Sequence, residues 1–368
     1  MQKSYQICAK CVMDTSDPDI EFDEKGVCSH CRHFQETRRF LYSEKELSKE
    51  IEKIKENGKG KKYDCILGVS GGVDSSIAAY YLKKMGVRPL AVHLDNGWNS
   101  EYSMRNMENV LKKLNIDLYT YVIDWEEFKD IQLAFFKSSI SNLEIPTDHA
   151  IGALMYNMAF KLGLKDVVHG GNINSELVMP QKWMYDCRDL KIIKAIHKKF
   201  GKVEMKTFPT LGIWKLAYYT LVKKIRLFPI LNYLNYNKEE AKRFLEKEFG
   251  WQDYVVKHGE SVFTRFFQNY ILPRKFGIDK RKAHYSSLIN SGQMTRKEAM
   301  EKLDNDITKD PQTIADKGYL INKYGLRPEE FEELMNLPNK SHKDYPNHDL
   351  FIGRLAFIYM FLKKILTK

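Results

Sequence analysis

One run of twelve residues constrains this chain more than any other: Cys65-Ile66-Leu67-Gly68-Val69-Ser70-Gly71-Gly72-Val73-Asp74-Ser75-Ser76. A short apolar stretch meets two adjacent glycines and continues into a helical pattern, which predicts buried strand, tight turn and helix. Paired glycines open backbone conformations closed to other residues. Successive amide N–H groups then converge on an anion at a helix N-terminus, where the dipole also favours negative charge. Ser70 and Ser75 add hydroxyl donors, and Asp74 supplies a carboxylate for Mg²⁺ beside bound phosphates. The run contains neither the Gly-Lys-Ser/Thr of a Walker A loop nor the G-x-G-x-x-G of a dinucleotide fingerprint.

The surroundings repeat this alternation. Strands are expected at 63–69, 88–94, 118–123 and 166–169, and helices at 74–85, 101–114, 126–140 and 148–162, after a solvated helix within 44–62. Strands separated by helices imply an α/β fold, a parallel sheet with helices on both faces. Beyond about residue 200 helical patterns dominate, at 211–225, 238–249, 259–270, 295–303, 311–324 and 328–335. The expected organisation is a small module at 1–40, an α/β domain at 60–205 and a mainly helical part at 206–368. A length of 368 residues accommodates this at ~100–200 residues per domain.

Four of six cysteines fall in the first 31 residues. Cys8-x2-Cys11-x16-Cys28-x2-Cys31 has the spacing of a closed four-thiolate zinc site, structural and not catalytic. A redox dithiol or an iron–sulfur cluster are the alternatives. The module is too small for a core of its own, so a metal would supply its folding energy. The start of the chain has no secretory pattern and no run reaches ~18 uncharged apolar residues, so a cytoplasmic protein without a transmembrane segment is expected. The apolar tail at 350–366 reads as an amphipathic helix packed on the protein or lying on a membrane. The net charge of +11 favours anionic partners, whether nucleotides, nucleotide sugars, RNA or acidic lipid.

Ser-Gly-Gly-x-Asp-Ser after an apolar strand resembles the PP-loop of the ATP pyrophosphatase superfamily, which includes NAD synthetase, asparagine synthetase and tRNA thiolases. The resemblance implies ATP at Ser70, Gly71, Gly72, Asp74 and Ser75. It makes His93 and Asp95, which end the second strand, candidates for the adenosine, although a solvated polar strand end fits them too. His169-Gly170-Gly171-Asn172-Ile173-Asn174-Ser175-Glu176 is similar to the Gly-Thr-x-Asn-x-Ser-Glu stretch of NAD synthetase. By that match Glu176 joins Asp74 on Mg²⁺, and Gly170 and Asn172 contact the nucleotide; Gly171 departs from the pattern.

The segment Lys257-His258-Gly259-Glu260-Ser261-Val262-Phe263-Thr264-Arg265-Phe266, with Lys280, Arg281 and His284, offers a cationic pocket or an aromatic core with a basic face. Together with the cysteine module and the PP-loop it resembles the N-acetyl sugar amidotransferase family over nearly the whole chain. The resemblance implies that an acetamido group becomes an acetamidino group through an adenylated imidate. Such enzymes serve O-antigen or flagellar nonulosonate biosynthesis, and ammonia comes from glutaminase and cyclase-like partners. Asp74 and Ser75 are the expected catalytic groups at the phosphates, with His258 or Glu260 taking a proton from ammonia. Lys257, His258, Ser261, Arg265, Lys280 and Arg281 are expected at the sugar substrate, with no nucleic acid involved. A tRNA-modifying PP-loop enzyme is the rival; it lacks support from a paired catalytic cysteine motif, since Cys65 and Cys187 are isolated. The 218–236 stretch reads as a lid, a docking face or ordinary helix packing.

Overall fold

The structure, a computed structural model, describes residues 4–38, 43–254 and 259–348. In chain order the helices and strands are α1 (Ser29–Arg38), α2 (Glu44–Asn57), β1 (Cys65–Gly68), α3 (Val73–Lys84), β2 (Pro89–Asp95), α4 (Glu101–Leu114), β3 (Leu118–Val122), α5 (Trp125–Ser138), α6 (Ile145–Lys161), β4 (Asp166–His169), α7 (Ile173–Glu176), α8 (Leu190–Phe200), α9 (Ile213–Ala217), β5 (Arg226–Pro229), α10 (Lys238–Phe249), α11 (Val262–Phe266), α12 (Lys280–Ser291), α13 (Arg296–Leu303), α14 (Pro311–Tyr324) and α15 (Pro328–Asn336). The expected tail helix at 350–366 lies outside the described residues. No helix among the described residues is long and apolar enough to cross a membrane.

The five strands form one parallel sheet in the order β3-β2-β1-β4-β5. Successive residues of a strand face opposite sides, and here each side has its own core. Ile66, Leu90, Val92 and Leu94 join one cluster with residues of α5, α6 and α8. Cys65, Leu67 and Ala91 join the other with residues of α2, α3, α4 and α10. Burial on both faces explains why β1 and β2 read as continuous apolar runs.

Most helix ends follow local rules. Ser43 and Glu46 form a reciprocal capping box at α2, Ser100 caps α4, and Gly250 closes α10 in the left-handed region. Five elements depart from the sequence reading: α8, α9, β5, α11 and α12. The helix expected at 211–225 is short, α9, and continues as a π-helical turn over Tyr218–Val222; the chain then becomes the edge strand β5. Edge strands tolerate a terminal Pro229 and a charged Arg226, and Arg226 pairs with Glu50 and with Asp166 at 2.6 Å. The helix expected from 259 begins only at Val262, because Ser261 bridges Asn99 just after β2. α8 and α12 were not anticipated.

The order 3-2-1-4-5 reverses direction between β1 and β4. Open α/β sheets bind ligands in the crevice outside the carboxyl ends of strands at such a point. The Ser-Gly-Gly turn follows β1, and the 170–176 segment follows β4.

Candidate functional site

Gly71 has φ +79°, and a Cβ there would sit 2.1 Å from the Ser103 carbonyl oxygen of α4. Glycine is therefore demanded twice, by conformation and by space. Its carbonyl oxygen accepts hydrogen bonds from Trp251 Nε1 at 3.0 Å and from the Tyr254 hydroxyl at 2.9 Å. The Ser75 hydroxyl donates to the Gly72 carbonyl at 3.1 Å, and the Ser70 amide donates to Ser75 Oγ at 3.3 Å. No side chain caps α3, whose N-cap is Gly72, so the first-turn amides suit an anion. Gly170 brings the other lip of the crevice against α3: a Cβ on it would lie 2.6 Å from the Asp74 carbonyl carbon.

Asp74 lies at the centre of a polar network. Its carboxylate accepts from the Tyr236 hydroxyl, from Asn172 Nδ2 at 3.4 Å and from Lys238 Nζ at 3.4 Å. Burial would lower the pKa of Lys238, but Asp74, Glu176 and Glu260 outweigh it and hold the ammonium above its ordinary value. Burial, then the charge of Asp74, keeps the Tyr236 phenol protonated. One lysine thus gathers three carboxylates that the sequence placed far apart. Two of them, Asp74 and Glu176, have the hard oxygen chemistry that suits Mg²⁺. Asn172 caps α7 through Ser175 N at 3.0 Å while its amide nitrogen steadies Asp74.

The other wall comes from the C-terminal half. α12 packs on α7, with His284 Nδ1 donating to the Ser175 carbonyl at 2.9 Å and the Val178 amide to Ser287 Oγ at 3.0 Å. One turn before His284, Lys280 Nζ stands 3.5 Å from Glu144 Oε2, which also accepts from Gln268 Nε2 at 3.3 Å.

Several expected site residues have structural employment instead. His93 is buried, donates through Nδ1 to the Val69 carbonyl at 3.0 Å and accepts through Nε2 from Asn99 at 3.0 Å. Burial lowers its pKa, so a neutral ring braces the phosphate loop. Asp95 Oδ1 accepts from the Gly97 amide at 2.9 Å and from Asn99 at 3.0 Å. Arg265 is buried in a two-point pair with Asp316 at 2.6 and 2.8 Å. Arg281 pairs with Asp279 at 2.8 Å and donates to the Lys302 and Asn305 carbonyls. Both arginines expected at the substrate are thereby committed to packing. Ser261 caps α11 by accepting from the Thr264 amide. Glu260 faces Lys238, and its carbonyl accepts from Ser100. Lys257 and His258 lie outside the described residues.

Tyr236, Lys238, Trp251 and Tyr254 were missed by the sequence reading. Lys238 did leave a signal. It is the first residue of α10, where the helix dipole disfavours a cation, and such a placement implies nearby carboxylates.

The four cysteines of the first module converge. Cys8, Cys11, Cys28 and Cys31 are buried, and their sulfurs lie within 4.8 Å of one another, with Cys11–Cys28 at 3.6 Å and Cys8–Cys31 at 3.9 Å. Backbone N–H groups of Lys10, Cys11 and Cys28 donate to Cys8 Sγ. Hydrogen bonding from Cys11, then Cys28 and Cys31, holds the Cys8 thiol far below its usual value. The site could hold a metal ion. It is docked onto α12 and α13: Arg296 reaches the Cys8 and Cys11 carbonyls at 3.2 and 3.1 Å, Ser286 Oγ accepts from Val12, and Asn290 Nδ2 donates to Cys31 Sγ at 3.3 Å.

Residues 44–179 match the family model described as NAD synthase. Residues 260–361 match that of the C-terminal domain of LPS biosynthesis protein WbpG-like. No curated protein matches the chain. Among solved structures it is similar to the NH3-dependent NAD synthetase of Campylobacter jejuni, at 16% identity over 77% of this chain and 97% of that one, with a TM-score of 0.30. It is also similar to the NMN synthetase of Francisella tularensis, at 16% identity over 58% and 89%, with a TM-score of 0.28. The U34-tRNA thiolase NcsA of Methanococcus maripaludis, which carries a 4Fe-4S cluster, gives 14% over 88% and 89%, with a TM-score of 0.30. The chain is built on a PP-loop domain of the NAD synthase type, which implies an ATP-using ligase or transferase. Its C-terminal domain is WbpG-like, and the pair is consistent with a PP-loop amidotransferase of the WbpG family.

Proposed function

We propose that this chain is an ATP-dependent amidotransferase that turns the acetamido group of a nucleotide-linked N-acetyl sugar into an acetamidino group, within O-antigen or nonulosonate biosynthesis in the cytoplasm. The observation that carries the reading is the union of an NAD synthase-type loop with a WbpG-like C-terminal domain in one chain. Lys238 and Lys280 then give the crevice a phosphate-facing and a substrate-facing cation.

An amide oxygen is a poor leaving group until it is adenylated. Attack of that oxygen on the α-phosphate of ATP forms an O–P bond and releases pyrophosphate. The α3 amides, Ser70 and Ser75 receive the departing pyrophosphate, and Lys238 balances its charge. Asp74 and Glu176 would hold Mg²⁺, which supplies charge neutralisation at the phosphates. Ammonia then adds to the imidate carbon and AMP leaves. The nitrogen is assigned to a partner glutaminase with a cyclase-like subunit.

Zinc is assigned to the cysteine site. A tetrahedron with ~2.3 Å metal–sulfur bonds has edges of about 3.8 Å, close to the observed sulfur separations of 3.6 and 3.9 Å. A four-iron cluster ligates each cysteine to a different iron and would spread the sulfurs further. Against a thiolation enzyme, the buried Cys65 thiol is pushed well above its usual value, and burial pushes Cys187 up to about 12. Neither is a ready nucleophile.

The test is incubation with ATP, Mg²⁺, ammonium and UDP- or CMP-linked N-acetyl sugars, read by mass spectrometry. Formation of AMP, pyrophosphate and a product about one mass unit lighter supports the reading. Modification of tRNA in its place defeats it.

A further inference from the structure

Asp148 is the fourth residue of α6, and α6 runs antiparallel to the strands before entering β4. Met155, two turns later on the same face, sits against Gly68 at the end of β1. At ~1.5 Å per residue, Asp148 therefore stands about 10 Å beyond the carboxyl end of β1, on the face of the sheet that α5, α6 and α8 cover. Among the described residues its carboxylate has no hydrogen-bond or ion-pair partner, unlike every other acidic group placed at this crevice. Glu144, one turn earlier, is buried and held by Gln268 at 3.3 Å and Lys280 at 3.5 Å. Asp186 and Arg188 pair with each other at 2.5 Å.

We propose that Asp148 is the group that receives ammonia and takes its proton, and that Glu144, fixed by Lys280 and Gln268, is its positioning residue. The inference rests on the amidotransferase reading and names the base that the reading requires. Glu260, the described alternative, is committed to Lys238 on the phosphate side. In the nitrogen-transfer step a C–N bond forms and the C=N π pair moves to the sugar nitrogen. Asp148 removes one proton from the incoming nitrogen and delivers it to the sugar nitrogen. AMP then departs with the C–O electron pair as the amidinium C=N forms. A base works best with a pKa near the operating pH. Burial, then the charge of Glu144, pushes the Asp148 carboxyl up to about 7, with Lys280 opposing. The nearby Cys187 thiol is neutral there, its own pKa pushed up to about 12.

The experiment uses the full chain with ATP, Mg²⁺, ammonium chloride and the N-acetyl sugar nucleotide that the wild type adenylates, following amidine formation and pyrophosphate–ATP isotope exchange separately. With rates referred to the concentration of free NH3 at each pH, Asp148→Asn is expected to slow amidine formation about 100-fold, to slow exchange far less, and to abolish the remaining rise in rate through pH 7. Asp148→Glu recovers part of both. An Asp148→Asn chain that keeps the wild-type rate or the wild-type pH rise overturns the proposal. A wild type that adenylates no N-acetyl sugar defeats the functional reading, and Asp148 is then judged by carboxyl ¹³C titration. Its signal, identified by loss in Asp148→Asn, should titrate near neutrality and move lower in Glu144→Gln. Titration in the ordinary carboxylate range overturns the proposal whatever the substrate.

Discussion

The two walls of the crevice are built in opposite ways. The phosphate wall is local: twelve consecutive residues carry strand, turn, hydroxyls and carboxylate, and the backbone does most of the binding. The opposite wall is assembled from Glu144, Asp148, Gln268 and Lys280, side chains of three separate segments that meet only after the C-terminal helices have packed on the α/β core. A local site is fixed by chain geometry and announces itself. An assembled site depends on how distant elements dock, and its residues look ordinary until they are folded together.

Substitutions can press on this contrast. The largest effect is expected on the local wall: Asp74→Asn should cut pyrophosphate release by ~10³-fold, about 4 kcal/mol of transition-state stabilisation, with the thermal unfolding midpoint within a few degrees of wild type. Turnover near the wild-type level would remove Asp74 from the phosphate machinery. Lys238→Ala should follow, at ~10²-fold or about 2.7 kcal/mol, with Lys238→Arg recovering part of it; steady-state pyrophosphate assays measure both. This lysine joins the walls, so a loss confined to sugar KM would move it from one to the other.

Gly170→Ala tests packing and not charge. The added methyl meets the Asp74 backbone at 2.6 Å, and a cost of ~1–3 kcal/mol is expected in denaturant unfolding, with weaker ATP binding by calorimetry. Unchanged stability would mean that the two lips of the crevice are looser than they look. The smallest effect belongs to Arg281→Ala, about 1 kcal/mol of stability from lost hydrogen bonds and less than a twofold change in sugar KM. A tenfold rise in KM would return Arg281 to the substrate.

The sequence made the α/β frame legible because β1 and β2 are continuous apolar runs and the helices that follow β2 and β3 open on clear caps, Ser100 and Asp124. It made the cysteine site legible because the spacing of two knuckles is a local property. It did not show the partners of His93, Arg265 and Arg281, because a polar residue beside a motif has the same appearance whether it faces a ligand or a carbonyl. Only packing separated them, as when Asp316 of α14 met Arg265. β5 was hidden by its single charged edge residue and closing proline. Asp148 was hidden among apolar neighbours in a helix whose other face lies against the sheet.

The seat of the cysteine module on α12 has a bearing on how the chain is made. Val12 and Ser286, which meet through a hydrogen bond, are 274 positions apart. At ~5–20 residues per second, a ribosome needs roughly 15–55 s to supply the surface on which the first knuckle rests. During that interval four thiols have left the exit tunnel without their landing place. An ion captured early would hold the knuckles in shape until the late helix arrives. In newborn chains, thiol-alkylation labelling of Cys8 and Cys31 should therefore fall at the moment of metal uptake, well before synthesis reaches α12.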